Sequence, residues 1–434
     1  MRIACTGFVS EEAGSVASAN ALLLRELVTS GVEVDFFSKP SFVDPRPAVG
    51  QRAGFRFVPV VNTVSDTLRR RMSGIVLLSA LSEWNDAASY NRLLVRRVRS
   101  EHRKHPYDVV LWLGDYAHGS VPGVPTVSFA QGAPGTDARS VLRRKGEIRR
   151  LAGRRTAWKW ELLGRLRLSR VGLPRIRYSD RIIVGSSISR ERLAAIYGIS
   201  GARVSTIPYP IDLKFFRLPD QSGRAAERNL KSETQGRKEA GTPSSALRVL
   251  WLGRIVPRKR LDVFLEGIVL ASRDGLDVRA TIAGNVGFIK GYHKLIDQFP
   301  IRDRLQWVRS IPRCDVPALL ADHDVLAQPS EEENFGSSVA EAQACGLPVI
   351  VGATNGNADY LCSRDVRLVD DRPETFAAAL REMAARKIEG RWGSPHESRE
   401  LAEREFSLPT AARRLLGIIQ RVCNHSTCRS CASV

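Results

Sequence analysis

The sequence predicts an α/β protein of two doubly wound parallel-sheet domains facing a central cleft. Three observations predict it. The chain has 434 residues, and at about 150 residues per domain that length favours two or three domains. Short apolar strands alternate with helix-period stretches through both halves, the pattern of βαβ units, which require parallel strands. A stretch at 220–245, rich in charge, Gly, Ser and Pro and almost without large apolar residues, separates the halves as a linker or surface insertion.

The elements follow in order. Arg2 to Thr6 is a short apolar strand, and a small-residue loop, Glu11 to Ser18, leads to a helix pattern from Ala19 to Thr29 that Gly31 ends. Val32 to Phe37 is the next strand. Asp108 to Leu113, Thr126 to Phe129, Arg181 to Val184 and Val204 to Pro208 are further buried strands. In the second half the strands are Arg248 to Leu252, Arg279 to Ala283, Val325 to Gln328 and Val349 to Val351. Helices fall at Leu261 to Ser272, Val316 to Leu320, Ser337 to Cys345 and Thr375 to Ala384. The domains expected are 1–219 and 246–408, followed by a helix and a disordered tail over 409–434. Ligands of such sheets bind beyond the carboxyl ends of the strands.

Hydrophobic residues make up 43% and charged residues 26%, which suits large cores and excludes a disordered chain. No apolar run approaches the roughly 18 residues of a membrane span. Met1 to Val9 lacks the basic start and long apolar core of a secretory signal. Scattered cysteines suit a reducing compartment, so a cytoplasmic protein is expected. The 66 Lys and Arg against 46 Asp and Glu give a net charge of +20, which calls for an anionic partner.

The sharpest chemical signal is Ser330 to Ser338 followed by Glu341 to Ile350. A strand ends at Gln328, a polar loop carries Glu333, Asn334, Phe335 and Gly336, and a helix starts near Ser337 and Ser338 with Glu341 about one turn in. Such a helix start offers unpaired N–H groups to a diphosphate, and the two carboxylates can accept from sugar or ribose hydroxyls. The second signal is Gly253-Arg254 through Lys259, a basic loop at the end of a strand. Taken separately, the first is also readable as a capped helix with solvated acids and the second as a solvated basic face.

Together these segments resemble the retaining glycosyltransferases of family 4, whose Glu-x7-Glu signature matches Glu333 and Glu341. The resemblance implies the GT-B fold, two Rossmann-like domains. It implies that Glu333 contacts the donor sugar, that amides near Phe335, Gly336 and Ser337 touch sugar or phosphate, and that Glu341 holds the ribose hydroxyls. Arg254 and Lys259 would bind the diphosphate and offset the charge that builds on it as the sugar leaves. The family usually has Gly after the Lys, where this chain has Arg260. Gly284 fits a glycine loop that lets backbone approach the nucleotide, and Val308 falls in the segment that cradles the base. Tyr209-Pro210 replaces the family's Asn-Gly, so that turn must differ. Gly14-Ser15 stands where the family has Gly-Gly, Gln131 stands at the usual His position, and His118 is the other nearby candidate.

The resemblance implies front-face transfer assisted by the diphosphate, with no cofactor and no metal. Asp322-His323-Asp324 reads as a structural turn on the wrong side of its strand. Thr136 to Tyr178 holds 14 Lys and Arg against three acids, with Trp158, Trp160 and several leucines. Such a face suits an anionic membrane surface, where family members meet lipid-linked acceptors. The expected partners are therefore a nucleotide-diphosphate sugar, a glycan or lipid-linked acceptor, and the inner face of the cytoplasmic membrane. Alternatives are a nucleotide-sugar epimerase, a sugar-phosphate-accepting synthase, or a nucleic-acid-binding protein, the last without any DNA- or RNA-binding signature. Cys423, His425, Cys428 and Cys431 have ligand types suited to zinc, but at the chain's end they read as a functionally silent tail.

Overall fold

The computed structural model describes residues 1–10, 14–39, 46–50, 52–61, 76–114, 119–130, 132–133, 135–168, 175–219 and 246–431. The chain divides into two compact units. One comprises Met1–Pro210, Glu332–Ser337 and Phe406–Val434; the other comprises Ile211–Glu331 and Ser338–Glu405. The division differs from the expected one: the first unit ends at Pro210, and it takes in the residues from Phe406 onward as well as a six-residue loop. The linker expected at 220–245 lies outside the described residues.

The first unit holds a seven-stranded parallel sheet in the order β3-β2-β1-β4-β5-β6-β7. Its strands are β1 (Arg2–Gly7), β2 (Glu33–Ser38), β3 (Phe55–Pro59), β4 (Val109–Leu113), β5 (Thr126–Phe129), β6 (Arg181–Val184) and β7 (Val204–Thr206). β4 is buried along its whole length, as a parallel strand covered on both faces must be. The helices are α1 (Gly14–Thr29), α2 (Arg46–Val49), α3 (Val76–Lys104), α4 (Thr136–Arg143), α5 (Lys145–Ala152), α6 (Arg154–Leu168) and α7 (Ser187–Tyr197). Ser186 caps α7 by accepting from the Ser189 amide at 3.2 Å, and Gly198 closes it in the left-handed region. α1 begins at Gly14, five residues before the expected start.

The second unit holds a six-stranded parallel sheet, β10-β9-β8-β11-β12-β13. Its strands are β8 (Leu247–Leu252), β9 (Val278–Ala283), β10 (Leu305–Val308), β11 (Val325–Gln328), β12 (Val349–Val351) and β13 (Val366–Arg367). Its helices are α8 (Leu261–Arg273), α9 (His293–Asp297), α10 (Val316–Ala321), α11 (Ser337–Ala344), α12 (Pro373–Ile388) and α13 (Pro395–Phe406). α8 and α12 pack so closely that a Cβ at Gly267 would stand 2.5 Å from the Phe376 ring. The strands β8, β9 and β11 that carry the candidate site are almost wholly buried.

The last helix, α14 (Leu408–Cys431), lies on the first unit, where Cys423 Sγ donates to the Asp108 carbonyl at 3.4 Å. It corrects the expectation of a disordered tail as far as Cys431. No Pro or Gly follows Gly417 to stop it, so the helix runs on through the tail cysteines.

Candidate functional site

The carboxyl ends of β10, β9, β8 and β11 lie side by side and are stitched together through the loops that leave them. The Gly253 amide donates to the Ala283 carbonyl at 2.9 Å, and the Gly284 amide to Val308 at 2.9 Å. Trp307 Nε1 donates to the Gly284 carbonyl at 3.0 Å. The basic loop folds over this edge, with the Ile255 amide on the Asn285 carbonyl at 2.9 Å and the Gly287 amide on Ile255 at 2.8 Å. The Glu331 amide donates to the Arg258 carbonyl at 2.8 Å, joining the acidic loop to the basic one. The two segments singled out in the sequence, some seventy residues apart, are therefore neighbours.

Lys259 is buried, and its Nζ donates to Gln328 Oε1 at 3.0 Å. Arg254, five residues earlier, is exposed. Arg260, where the resembled family has glycine, sits in the left-handed region at φ 50°, ψ 48°. That conformation is disfavoured for a residue with a Cβ by about 1–2 kcal/mol. Its buried guanidinium is held by Asp262 and Asp371, which offsets the strain. The departure from the family pattern thus keeps the backbone shape that a glycine would take there.

The acidic loop runs from Ser330 into α11. Glu331, Glu333, Asn334, Phe335, Ser337 and Glu341 are all buried, which corrects any reading of these acids as solvated. Within the first unit, Glu332 has φ 50° and meets three arginines: Arg139 at 2.9 Å, Arg143 at 2.5 Å and Arg192 at 3.5 Å. Burial pushes the Glu332 carboxyl up, but the three guanidinium charges outweigh it and hold the group below the usual carboxylate range. Asn334 Oδ1 accepts from the Gly185 amide at 3.1 Å, while its buried Nδ2 has no hydrogen-bond partner among the described residues. Phe335 stands edge-on to the rings of Tyr209 at 5.9 Å and Phe406 at 5.3 Å. Tyr209, which replaces the family's Asn, also donates to the Ala130 carbonyl at 3.1 Å, so that turn is held by side-chain packing.

Glu341 is buried on α11. Burial pushes its carboxyl up to about 7, against the pull of Arg313. The unfolded chain loses this proton near pH 4.3, so the folded state keeps a proton that the unfolded state lacks between about pH 4.3 and 7. Stability therefore falls as pH rises through that window, by ~3 kcal/mol from this group. Glu341→Gln, which carries no charge, is expected to flatten that part of the profile. The measurement is the difference in thermal midpoint between pH 5 and pH 8; identical differences in wild type and variant would refute the assignment.

Gly253, Arg254, Lys259, Gly284 and Val308 thus lie on or beside the carboxyl ends of the second unit's strands, and Glu341 lies on α11 in the same unit. Glu333, Asn334, Phe335, Gly336 and Ser337 belong to the loop that groups with the first unit. Ser338, half-buried, follows on α11. Gly14 and Ser15 form the start of α1, and the Ser15 side chain lies outside what is described. His118 and Gln131 lie outside the described residues. Gln328 and Glu332 were not singled out in the sequence, because nothing in spacing distinguishes a strand-end amide or the middle acid of three. Asp324 of the Asp-x-Asp run pairs with Arg248 at 2.9 Å and Lys387 at 2.8 Å and accepts from the Arg248 amide, a structural use of that carboxylate.

The basic segment forms three helices, α4, α5 and α6. It breaks at Arg144 and at Gly153, whose φ of 86° few other residues tolerate. Val141, Ile148 and Leu151, interleaved with the charges, point into the first unit's core. What faces outward is Trp158, 63% exposed, and Leu166, amid exposed Arg149, Arg150, Arg154, Arg155, Lys159, Arg165 and Arg167. Among the described residues no helix is long and apolar enough to cross a membrane.

Comparison with known proteins agrees with this geometry. Residues 16–215 match the family model described as Glycosyltransferase Family 4, and residues 232–394 match Glycosyl transferases group 1. The chain is 32% identical over 191 residues to the D-inositol 3-phosphate glycosyltransferase of Thermomonospora curvata, covering 41% of this chain and 42% of that protein. It thus spans less than half the length of that relative. The Anabaena protein Alr3699/HepE, solved in complex with UDP and glucose, superposes with a TM-score of 0.63 over 97% of this chain and all of its own, at 14% identity. WaaG, a glycosyltransferase involved in lipopolysaccharide biosynthesis, superposes with a TM-score of 0.60 over 96% of this chain and 99% of its own, at 18% identity. With two Rossmann-like parallel-sheet units shared with these structures, the chain has the GT-B fold, and its two halves are similar in turn to a family 4 and a group 1 glycosyltransferase model.

Proposed function

We propose that this protein is a retaining glycosyltransferase that moves a sugar from a nucleoside diphosphate sugar to a glycan or lipid-linked acceptor. The observation that carries the reading is the junction of the basic and acidic loops at the carboxyl ends of β8 and β11, with Lys259 bound to the last residue of β11. The UDP in the Anabaena structure supports a nucleotide donor.

In this reading Arg254 and Lys259 hold the diphosphate, Glu341 takes the ribose hydroxyls and Glu333 a hydroxyl of the sugar. The bond from the sugar's anomeric carbon to the phosphate oxygen breaks, leaving negative charge on the diphosphate. The two cations stabilise that charge. The acceptor hydroxyl attacks from the same face and its proton passes to the leaving phosphate oxygen, so configuration is retained without a covalent intermediate. No residue is assigned as nucleophile. The test is product analysis after incubation with UDP-, GDP- and ADP-sugars and candidate acceptors. Transfer with an unchanged anomeric configuration is expected; an inverted product rejects the retaining mechanism, and an epimerised free nucleotide sugar rejects transfer.

The outward face of α6 supports docking to an anionic membrane, which would bring the enzyme to a membrane-borne acceptor. Each Lys or Arg near such a surface contributes about 1 kcal/mol. Trp158→Ser combined with Arg154→Glu and Arg155→Glu is therefore expected to lower co-sedimentation with phosphatidylglycerol vesicles at least tenfold. Unchanged vesicle binding, or tight binding to duplex DNA without vesicle binding, would reject this role for the face.

A further inference from the structure

Gln328 is the last residue of β11 and is fully buried. Its side-chain amide is used at both ends. Nε2 donates to the carbonyl of Leu252, the last residue of β8, and Oε1 accepts from Lys259 Nζ at 3.0 Å and lies 3.5 Å from Ser330 Oγ. The Leu252 bond fixes which way the amide faces, because only the NH2 end can donate to a carbonyl. The carbonyl end is then presented to the ammonium. Lys259 lies seven residues past the end of β8, so this amide ties the tip of the basic loop back to the end of its own strand. Gly253 lies against the pair: a Cβ there would be 3.5 Å from Gln328 Nε2 and 3.9 Å from Lys259 Cε.

A carboxylate in the same place would hold an ammonium more tightly, but would also cancel its charge. A neutral acceptor fixes the ammonium's position without itself cancelling its charge. We propose that Gln328 is the positioning residue for Lys259, a neutral amide that holds its ammonium where the donor's diphosphate binds. The inference rests on the reading of Lys259 as a diphosphate ligand. It assigns Gln328 no contact with substrate.

The test is calorimetric titration of the full chain with UDP, GDP and ADP and with the corresponding monophosphates. Gln328→Met keeps the bulk and removes the acceptor. It is expected to weaken the bound nucleoside diphosphate about five- to tenfold and the monophosphate less than twofold. In the Lys259→Ala background the same substitution should change diphosphate affinity less than twofold, since the two act as one unit. An equal loss for mono- and diphosphate, or the same factor with and without Lys259, would show that Gln328 acts only on the fold and would overturn the proposal. If Lys259→Ala leaves diphosphate affinity intact, or no diphosphate binds, the underlying reading of the site fails, and the proposal with it.

Gln328→Glu provides a variant that keeps the shape should Gln328→Met not fold. Protonated, its carboxyl can donate to Leu252 and accept from Lys259 as the amide does. Ionised, it pairs with Lys259 and opposes the Leu252 carbonyl. Diphosphate affinity of this variant should fall at least tenfold more than wild type between about pH 5.5 and 8.5, and a profile parallel to wild type overturns the assignment.

Discussion

Lys259→Ala is expected to lower the rate of sugar transfer about 10²–10³-fold while the protein stays folded. The reasoning starts from where charge develops. A diphosphate bound to a sugar already carries negative charge, and bond cleavage adds more on the bridging oxygen. A cation fixed beforehand contributes most to that late state, so kcat should fall more than KM rises. Lys259 is suited to this because it is buried, on a short turn closed by the Lys259 amide bonding to Val256, and held by a neutral amide. Lys259→Arg should not restore activity, since a planar, bulkier guanidinium does not place a compact point charge against the Gln328 carbonyl oxygen as an ammonium does. Arg254→Ala and Glu333→Ala are expected to act in the same direction. Initial rates with a labelled donor, set beside thermal midpoints, make the measurement. Activity within tenfold of wild type in all three variants would remove this site.

What was legible in the sequence was whatever is set by local pattern. β5, β6, β11 and β12 match the expected strands residue for residue, because buried parallel strands read as short apolar runs between turn residues. The Glu333 to Glu341 spacing and the basic loop stood out only through their resemblance to a family pattern, since two acids at a spacing or a basic loop say little alone. Elements whose residues lie partly at the surface did not stand out: β3 has only Val58 fully buried, and β10 has no fully buried residue. Within the basic segment the sequence could not sort apolar residues by face, because one every three or four positions looks alike whether it faces lipid or core. The packing assigns Val141, Ile148 and Leu151 to the core and leaves Trp158 outside. Gln328 and Glu332 act through partners 69 and 140 or more residues away in sequence, and no local pattern carries that information.

Gly284→Ala is expected to destabilise the second unit by about 3–5 kcal/mol, well above an ordinary glycine substitution. The family resemblance implied that this glycine lets backbone approach a nucleotide. The structure gives it a nearer neighbour: a Cβ at residue 284 would stand 1.9 Å from the Gly253 carbonyl oxygen and 2.8 Å from its carbon. Both are backbone atoms held between adjacent strand ends, so neither can move aside as a flexible side chain could. The φ of 148° adds strain of its own, since side chains other than glycine rarely adopt it. Gly275→Ala separates the two effects, because Gly275 has φ 88° with nothing within 4 Å of the added carbon, and should lose only about 1–2 kcal/mol. Denaturant unfolding of the two variants gives the comparison. Equal losses would mean that strain alone matters, and the close approach of the β8 and β9 loops would not be what this glycine serves. An unchanged stability with weakened nucleotide binding would return it to a purely ligand-facing role. The larger loss at Gly284 is expected because the loop carrying Arg254 and Lys259 can lie over the sheet edge only if the two backbones meet there with no side chain between them.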